Sequence, residues 1–389
     1  MSEAAILNPE TVSAAPTPLA LQLRAAHPAL ALRMHAGALT PQTFSSNASS
    51  SAKAEIAAAA SSAAVFDLGY RARIRVTGED RLRWLNGMVS NAIQSLTEGH
   101  GNYNFILNAQ GRIQGDAFVY RRADDLLLDT DRFQAPRLLA HLDHFIIMDD
   151  VELHPLDDSA TGIGQTAIGQ TSIGLAGPQA ASLLDSLRLD SLGPQAASLA
   201  MLQFAETALA CVPVTLVRAY SVLFPRFEIW FAPDHAAAIW KALTSAGATP
   251  IGIDAVEALR VLDGTPAYSI DFTDRNLPQE TSQTRALNFN KGCYLGQEIV
   301  ERIRSRATVH RNLRQFALDG ATPAPPSDIR EGDAAVGQLT SVAEIDLPGF
   351  RGAVALGFVR ADAVARGAAI TYDGGAAAVL EHPPTPACP

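Results

Sequence analysis

Hydrophobic and polar positions alternate through FDLGYRARIRVTG, with Ala72, Ile74 and Val76 on one side of Arg71–Thr77, and a period of two predicts a strand. The period then changes. Thr77 and Asp80 have capping-box spacing, and Leu82, Leu85, Val89, Ile93 and Leu96 follow at intervals of three and four, so an amphipathic helix is expected over about 79–96. NYNFIL, the turn Asn108–Gly111 and RIQGDAFVYRR predict a hairpin, and Leu126–Leu128 another short strand. Residues 132–146 set Leu138, Leu142 and Phe145 on one helical side. Strands are expected around 210–218 and 226–231, a helix at 234–246 stopped by Gly247, and a short helix at 253–263. The proline-rich stretch 323–327 reads as a linker. From Ala334 onward, apolar strands separated by glycines predict a small β-barrel.

The first sixty residues are rich in alanine, serine and threonine, and 45–64 (SSNASSSAKAEIAAAASSAA) is low-complexity. Residues 1–64 are therefore expected to be largely disordered, with an amphipathic helix available inside 18–34 and ordered structure beginning near Val65. GIGQT, AIGQT and SIG recur over 162–174, and GPQAASL occurs at 177–183 and 193–199. These repeats are too few and too short for a solenoid and read as local expansions in loops and helix ends.

A chain of 389 residues exceeds one ordinary core, and at roughly 100–200 residues per domain it suggests two or three. With 48% hydrophobic and 18% charged residues it has the make-up of a globular protein. A net charge of −10 disfavours a general nucleic-acid coat, although a local basic stretch can still bind an anion. No apolar run approaches the ~20 residues that span a bilayer, so no membrane partner is expected. The N-terminus lacks the basic start and continuous apolar stretch of a secretion signal. Arg24 and Arg33 leave a transit segment open, while Glu3 and Glu10 count against it. Cys211, Cys293 and Cys388 are odd in number and far apart, which gives neither a disulfide framework nor a metal clip. A reducing, cytoplasmic setting follows. Cys211 sits in apolar LACVPVTLV and is expected to react slowly, whereas Cys388 lies in a loose tail.

The densest chemistry is FNKGCYLGQE, Phe289–Glu298. Gly292 and Gly296 permit a shaped turn around Cys293, and Lys291 can lower a neighbouring thiol's pKa, making it a better nucleophile or ligand. Gln297 and Glu298 add an amide and a carboxylate. Taken alone, K-G-C is equally an ordinary tight turn with a half-buried cysteine. Downstream, Arg302, Arg304 and Arg306 alternate, which would set them on one strand face. That face is either a solvated edge or an anion site, since guanidinium pairs with carboxylate and phosphate. The histidines, His154 and His235 among them, show no ligand spacing, so no metal site is expected.

The Phe289–Glu298 string resembles the signature of the YgfZ-type folate-binding proteins, relatives of the glycine-cleavage T-protein that include iron–sulfur assembly factors. VTGEDRLRWLNGMVSN, NYNFILNAQGRIQGDAFVYR, IDAVEALRVLDGTPAYSIDFTDRNLPQE, GQLTSV and ALGFVR match in the same order, over most of 65–360. The resemblance implies an α+β, three-domain clover-leaf around a central opening. Its parts would be a discontinuous folate-binding domain (65–157 and 250–312), a ferredoxin-like domain (158–249) and a C-terminal Greek-key barrel (313–389). The opening would hold tetrahydrofolate or another reduced folate. Asp116 would lie at the folate's reactive edge, though by itself it is also an ordinary strand residue. Glu280, otherwise a surface acid, would accept hydrogen bonds from the pterin's amino and ring N–H groups.

Asn108, otherwise a turn residue, would be a further folate contact, with Gln297 beside the motif. Arg302 and its neighbours would take the glutamate tail or an RNA phosphate. Cys293, aided by Lys291, would be a transient cluster ligand or a nucleophile. Where the T-protein has an acidic pair, this chain has Gly115–Asp116, and a lone carboxylate argues against aminomethyl transfer. The expected function is thus a folate-binding accessory protein working with iron–sulfur enzymes or assembly proteins, including enzymes that modify tRNA. A glycine-cleavage aminomethyltransferase and an RNA-binding module using 302–314 are the alternatives.

Overall fold

The computed structural model describes residues 15–44, 48–156, 170–187, 196–306 and 309–386. Most of the GIGQT repeats and Cys388 lie outside them.

The alternating segment Arg71–Thr77 is a strand with Ala72, Ile74 and Val76 buried. It belongs to an antiparallel five-stranded sheet in the order Gly101–Leu107, Ile113–Arg121, Leu126–Asp131, Arg71–Thr77, Glu152–Pro155. Helices Arg81–Met88 and Ala135–Asp143 bury Leu85, Met88, Leu138 and Leu142 into that sheet's core. The first helix stops eight residues short of the expected end at 96. Asn86 accounts for this: its Oδ1 accepts the Ile93 N–H at 2.9 Å, folding the chain into a turn. Val89 and Ile93 are buried all the same, so their spacing reports burial rather than helix.

A second sheet of six strands runs Phe204–Leu209, Val212–Arg218, Arg226–Phe231, Thr171–Ala176, Ala64–Asp67, Thr249–Pro250. Helix Ala236–Ser245 packs Ile239, Trp240 and Leu243 into its core. Cys211 lies in the turn before Val212–Arg218 with φ of 64°, exposed rather than inside an apolar strand.

The C-terminal region closes into a six-stranded barrel, in the order Arg311–Gly320, Phe350–Arg360, Ala334–Leu347, Ser327–Glu331, Ile370–Tyr372, Gly375–Leu380. The proline-rich stretch is a connection between two barrel strands, not a linker in front of the barrel. The fold is thus mixed α and β with a closed terminal barrel, as expected.

Two further expectations need correction. Residues 1–64 are not largely disordered over their described part. Helix Pro18–Ala26, the hairpin Leu32–His35/Ala38–Pro41 and helix Ala48–Ser61 precede Val65. The alanines of the low-complexity stretch are close-packing residues: Ile56, Ala59 and Ala60 are buried in the core shared with helix Ile253–Leu262 and the barrel. Glu55 accepts the Gly252 N–H at 2.7 Å at the start of helix Ile253–Leu262, where a carboxylate meets the positive end of the helix. The second correction concerns the arginine stripe. Gln297–Arg306 is a helix, not a strand. Glu301 pairs with Arg304 one turn away and Val300 is buried, so a short R-I-R-S-R pattern fitted either period.

Candidate functional site

The central cavity lies where the first sheet, the second sheet, helix Ile253–Leu262 and the N-terminal hairpin meet, and it holds about 300 Å³. The hairpin enters its wall through Arg33, Met34, His35, Ala36 and Gly37. Its two-residue tip needs positive φ at Ala36 (47°) and Gly37 (90°). A Cβ at Gly37 would stand 2.9 Å from the Phe133 backbone nitrogen, so only glycine fits there.

Asp116 faces this cavity from strand Ile113–Arg121. Its carboxylate accepts the Tyr103 hydroxyl at 2.6 Å and the Gln134 amide at 2.9 Å. Gln134 in turn accepts the Asp116 backbone N–H at 3.1 Å, which locks the pair. Burial raises the Asp116 pKa, and the nearby Asp131 carboxylate raises it further. Asp131 ends the neighbouring strand, lines the same cavity, and pairs with Arg71 at 2.5 Å.

The apparent loss of one acid at Gly115–Asp116 therefore has a different meaning. Adjacent strand residues point to opposite faces. Gly115 faces the core, where a Cβ would sit 2.7 Å from Gln134 Oε1 and 2.8 Å from Leu138. The carboxylate that acts on Asp116 is Asp131 instead, with Glu228 and Glu257 elsewhere on the cavity wall. Asp131 is placed by strand pairing and was invisible to a search for adjacent acids.

The other expected site residues lie elsewhere. Glu280 sits in a short turn, where its carboxylate accepts Asn276 Nδ2 at 2.9 Å and Arg311 Nη2 at 3.3 Å. It lines a surface cleft with His310, Arg360 and Asp362, not the cavity of Asp116. Asn108 Oδ1 accepts the backbone N–H groups of Gln110 and Arg112, both at 3.0 Å, and so closes its own turn. Gln297 accepts the Tyr294 N–H at 3.1 Å at the start of the following helix. Arg302 is exposed on that helix. None of these three lines the central cavity.

Within the motif, Lys291 and Cys293 do different things. Lys291 Nζ donates to the carbonyls of Asn86, Val89 and Asn91 at 2.5, 2.6 and 2.8 Å. Three ammonium protons meet three acceptors, and the lysine is turned toward backbone rather than toward the thiol. Burial pulls its pKa down to about 7, while the carbonyl dipoles favour the charged form. Gly296 completes the join: at φ 81°, a Cβ there would lie 2.5 Å from the Asn108 carbonyl oxygen. The loop is thus fastened to the first sheet's turn, and it presents Cys293 to solvent outside the cavity. No cluster of three or more metal-ligating side chains occurs among the described residues.

Sequence reasoning also missed the arginine–aromatic wall. Arg260 joins Glu257 at 3.0 Å and Asp271 at 2.6 Å. His35 stands 3.8 Å from Glu257 and edge-on to Tyr70, and burial lowers its pKa. Arg285 lies against Tyr220 and Tyr103, 3.5 and 4.5 Å from the ring centroids. The alternation of Arg71 with Arg73 and of Asp129 with Asp131 signals only the adjoining strand pair, from which Arg71 and Asp131 reach the cavity, because alternate residues on paired strands share a face.

A closed barrel, two sheets and a carboxylate-bearing central cavity define a protein of the T-protein-like fold. The crystal structure of the glycine cleavage aminomethyltransferase T from Bartonella henselae superposes with a TM-score of 0.80, over 94% of this chain and 96% of that one, at 20% identity. Residues 25–291 match the GCVT N-terminal domain, and the chain belongs to that family. It is similar to a putative chloroplastic transferase of Arabidopsis thaliana, 27% identical over 71% of this chain, although the match spans only 61% of the plant protein. It is also 27% identical to an aminomethyltransferase of Thermus thermophilus, over 71% of this chain and 74% of the bacterial one.

Proposed function

We propose that the central cavity binds a reduced folate, with Asp116 at its reactive edge. The observation that carries this reading is a half-buried carboxylate of raised pKa, locked by Tyr103 and Gln134, beside an aromatic-walled cavity. A carboxylate whose pKa is raised above the usual range is a stronger base and can accept a proton from a ring nitrogen and return it. Aromatic walls suit a flat heterocycle. Membership of the GCVT family favours tetrahydrofolate as the ligand.

Titration with tetrahydrofolate tests the reading, followed by the fluorescence of Trp230, which lies 5.0 Å from the cavity residue Tyr120. Saturable quenching is expected, weakened about tenfold to a hundredfold by Asp116→Ala, the range for one charge-assisted hydrogen bond. A parent protein that shows no saturable binding overturns it.

Beyond binding, the Phe289–Glu298 motif supports a YgfZ-type role in iron–sulfur cluster assembly or repair. In that role the exposed Cys293 would act toward a partner protein. One thiol cannot hold a cluster alone, so partner ligands would complete it. The test is whether Cys293→Ser still restores the activity of an iron–sulfur enzyme in cells lacking the protein. Full restoration would end this role.

A second reading is aminomethyl transfer. It is favoured by Asp131, which restores a carboxylate pair to the cavity. Methylene-tetrahydrofolate formation from a lipoylated carrier protein would establish it, and its absence would leave folate binding without this reaction.

A further inference from the structure

Five arginines line the central cavity: Arg33, Arg71, Arg226, Arg260 and Arg285. Four are already ion-paired. Arg33 joins Asp254, Arg71 joins Asp129 and Asp131, Arg226 reaches Glu228, and Arg260 joins Glu257 and Asp271. Arg285 is different. Its Nε donates to the Gln283 amide oxygen at 3.0 Å, its faces meet Tyr220 and Tyr103, and among the described residues it has no carboxylate partner. Its Nη1 is buried with no hydrogen-bond partner. Buried donors are almost always satisfied, so an orphaned guanidinium nitrogen at a cavity wall points to a group that arrives with a ligand.

The surroundings specify that group. Aromatic rings stabilise a guanidinium through its faces without neutralising it, and they leave its in-plane N–H groups free. A planar anion meeting that edge is the best match, because carboxylate geometry fits the fork. Tyr103 also fixes where the anion lies relative to Asp116. One tyrosine packs its ring on Arg285 and gives its hydroxyl to Asp116. A ligand reaching both would have its reactive edge at one side of this ring and its anionic end at the other.

We propose that Arg285 is the anion subsite of the central cavity and takes a carboxylate of the bound ligand, which for a reduced folate is a glutamyl carboxylate. The identity of that carboxylate rests on the folate reading above; the subsite itself does not. This places the tail-binding charge on Arg285 and not on Arg302, which is exposed outside the cavity.

The experiment compares tetrahydrofolate with tetrahydropteroate, which lacks the glutamate, on the parent protein and on Arg285→Gln. The parent is expected to prefer tetrahydrofolate by about tenfold or more. Arg285→Gln should bind tetrahydropteroate as the parent does and lose the preference. A preference unchanged in Arg285→Gln overturns the proposal. If Arg285→Gln fails to fold by circular dichroism, Arg285→Met is read in the same way, since it also removes the charge while keeping an unbranched side chain against the two tyrosines.

If the parent binds neither compound, the folate reading fails on its own. Glutarate in a thermal-shift titration then decides the subsite. Stabilisation of the parent but not of Arg285→Gln upholds a carboxylate subsite for another ligand. No stabilisation of either overturns it.

Discussion

At the scale of single residues, the decisive group is Asp116, because its usefulness and its cost to stability have one origin. Burial raises its pKa, so at neutral pH the folded protein holds a carboxylate that would be better solvated in the unfolded chain. The folded state binds the proton more tightly, and this contribution to stability therefore falls as pH rises from the unfolded value toward the raised folded one. Asp116→Asn removes the charge and keeps a group that can meet both Tyr103 and Gln134. Thermal unfolding should show the variant at least as stable as the parent at pH 8, with any advantage gone below about pH 3, where the parent is protonated in both states. Folate affinity should fall at the same time. Equal pH dependence in the two proteins would show that Asp116 does not titrate on folding. The thiols give a second test at this scale. Cys211 and Cys293 are both exposed, so both should alkylate rapidly in the native protein, read by peptide mass spectrometry.

At the scale of elements, the motif loop explains why a sequence signature can be recognised correctly and still be misread in its parts. Lys291 was expected to tune the thiol. Its ammonium instead ties the end of helix Arg81–Met88 to the loop through the carbonyls of Asn86, Val89 and Asn91. Lys291→Met would leave those carbonyls without their donor in a half-buried site. It should lower unfolding stability by about 3 kcal/mol, the lower end for several charge-assisted bonds lost together, in a denaturant titration. Cys293→Ser, at an exposed position, should change stability by less than about 0.5 kcal/mol. If the lysine variant is as stable as the serine one, the clamp is not a structural device.

What was legible in the chain follows the same line. Strand Arg71–Thr77, the hairpin around Asn108–Gly111, helix Ile253–Leu262 and the terminal barrel could be read because periodicity and turn residues are local signals. The pairing of Asp116 with Asp131, the docking of Gly296 on Asn108 and the stacking of Arg285 depend on contacts between distant segments. A single sequence carries no local trace of these.

At the scale of the whole molecule, the N-terminal segment that looked like a linker completes the cavity, and Asp67 is the fastening. This buried carboxylate, at the end of strand Ala64–Asp67, accepts from Thr17, from Thr40 at 3.0 Å and from the Gly69 N–H at 2.8 Å. Two of these donors come from the N-terminal segment, so the segment is held by a group that requires it in return. The His35–Gly37 part of the cavity wall is therefore only as firm as this attachment. Burial raises the Asp67 pKa, while the Thr17, Gly69 and Thr40 hydrogen bonds oppose that rise. Removing one donor should raise it further, and the sign of the consequence follows. The protonated acid needs fewer donors than the carboxylate, so Thr40→Val should destabilise the protein more at pH 8 than at pH 5. A loss of about 1–2 kcal/mol is expected at the higher pH, the usual range for one donor removed from a buried acceptor. Folate affinity should weaken in parallel as the hairpin loosens, because the wall and the fastening move together. Urea titrations at the two pH values check the first expectation, and tetrahydrofolate binding under the same conditions checks the second. A Thr40→Val protein whose stability loss is the same at both pH values would show that Asp67 does not change its charge between pH 5 and pH 8, and a loss near zero at both would leave the attachment to apolar packing of Leu19 and Ala38.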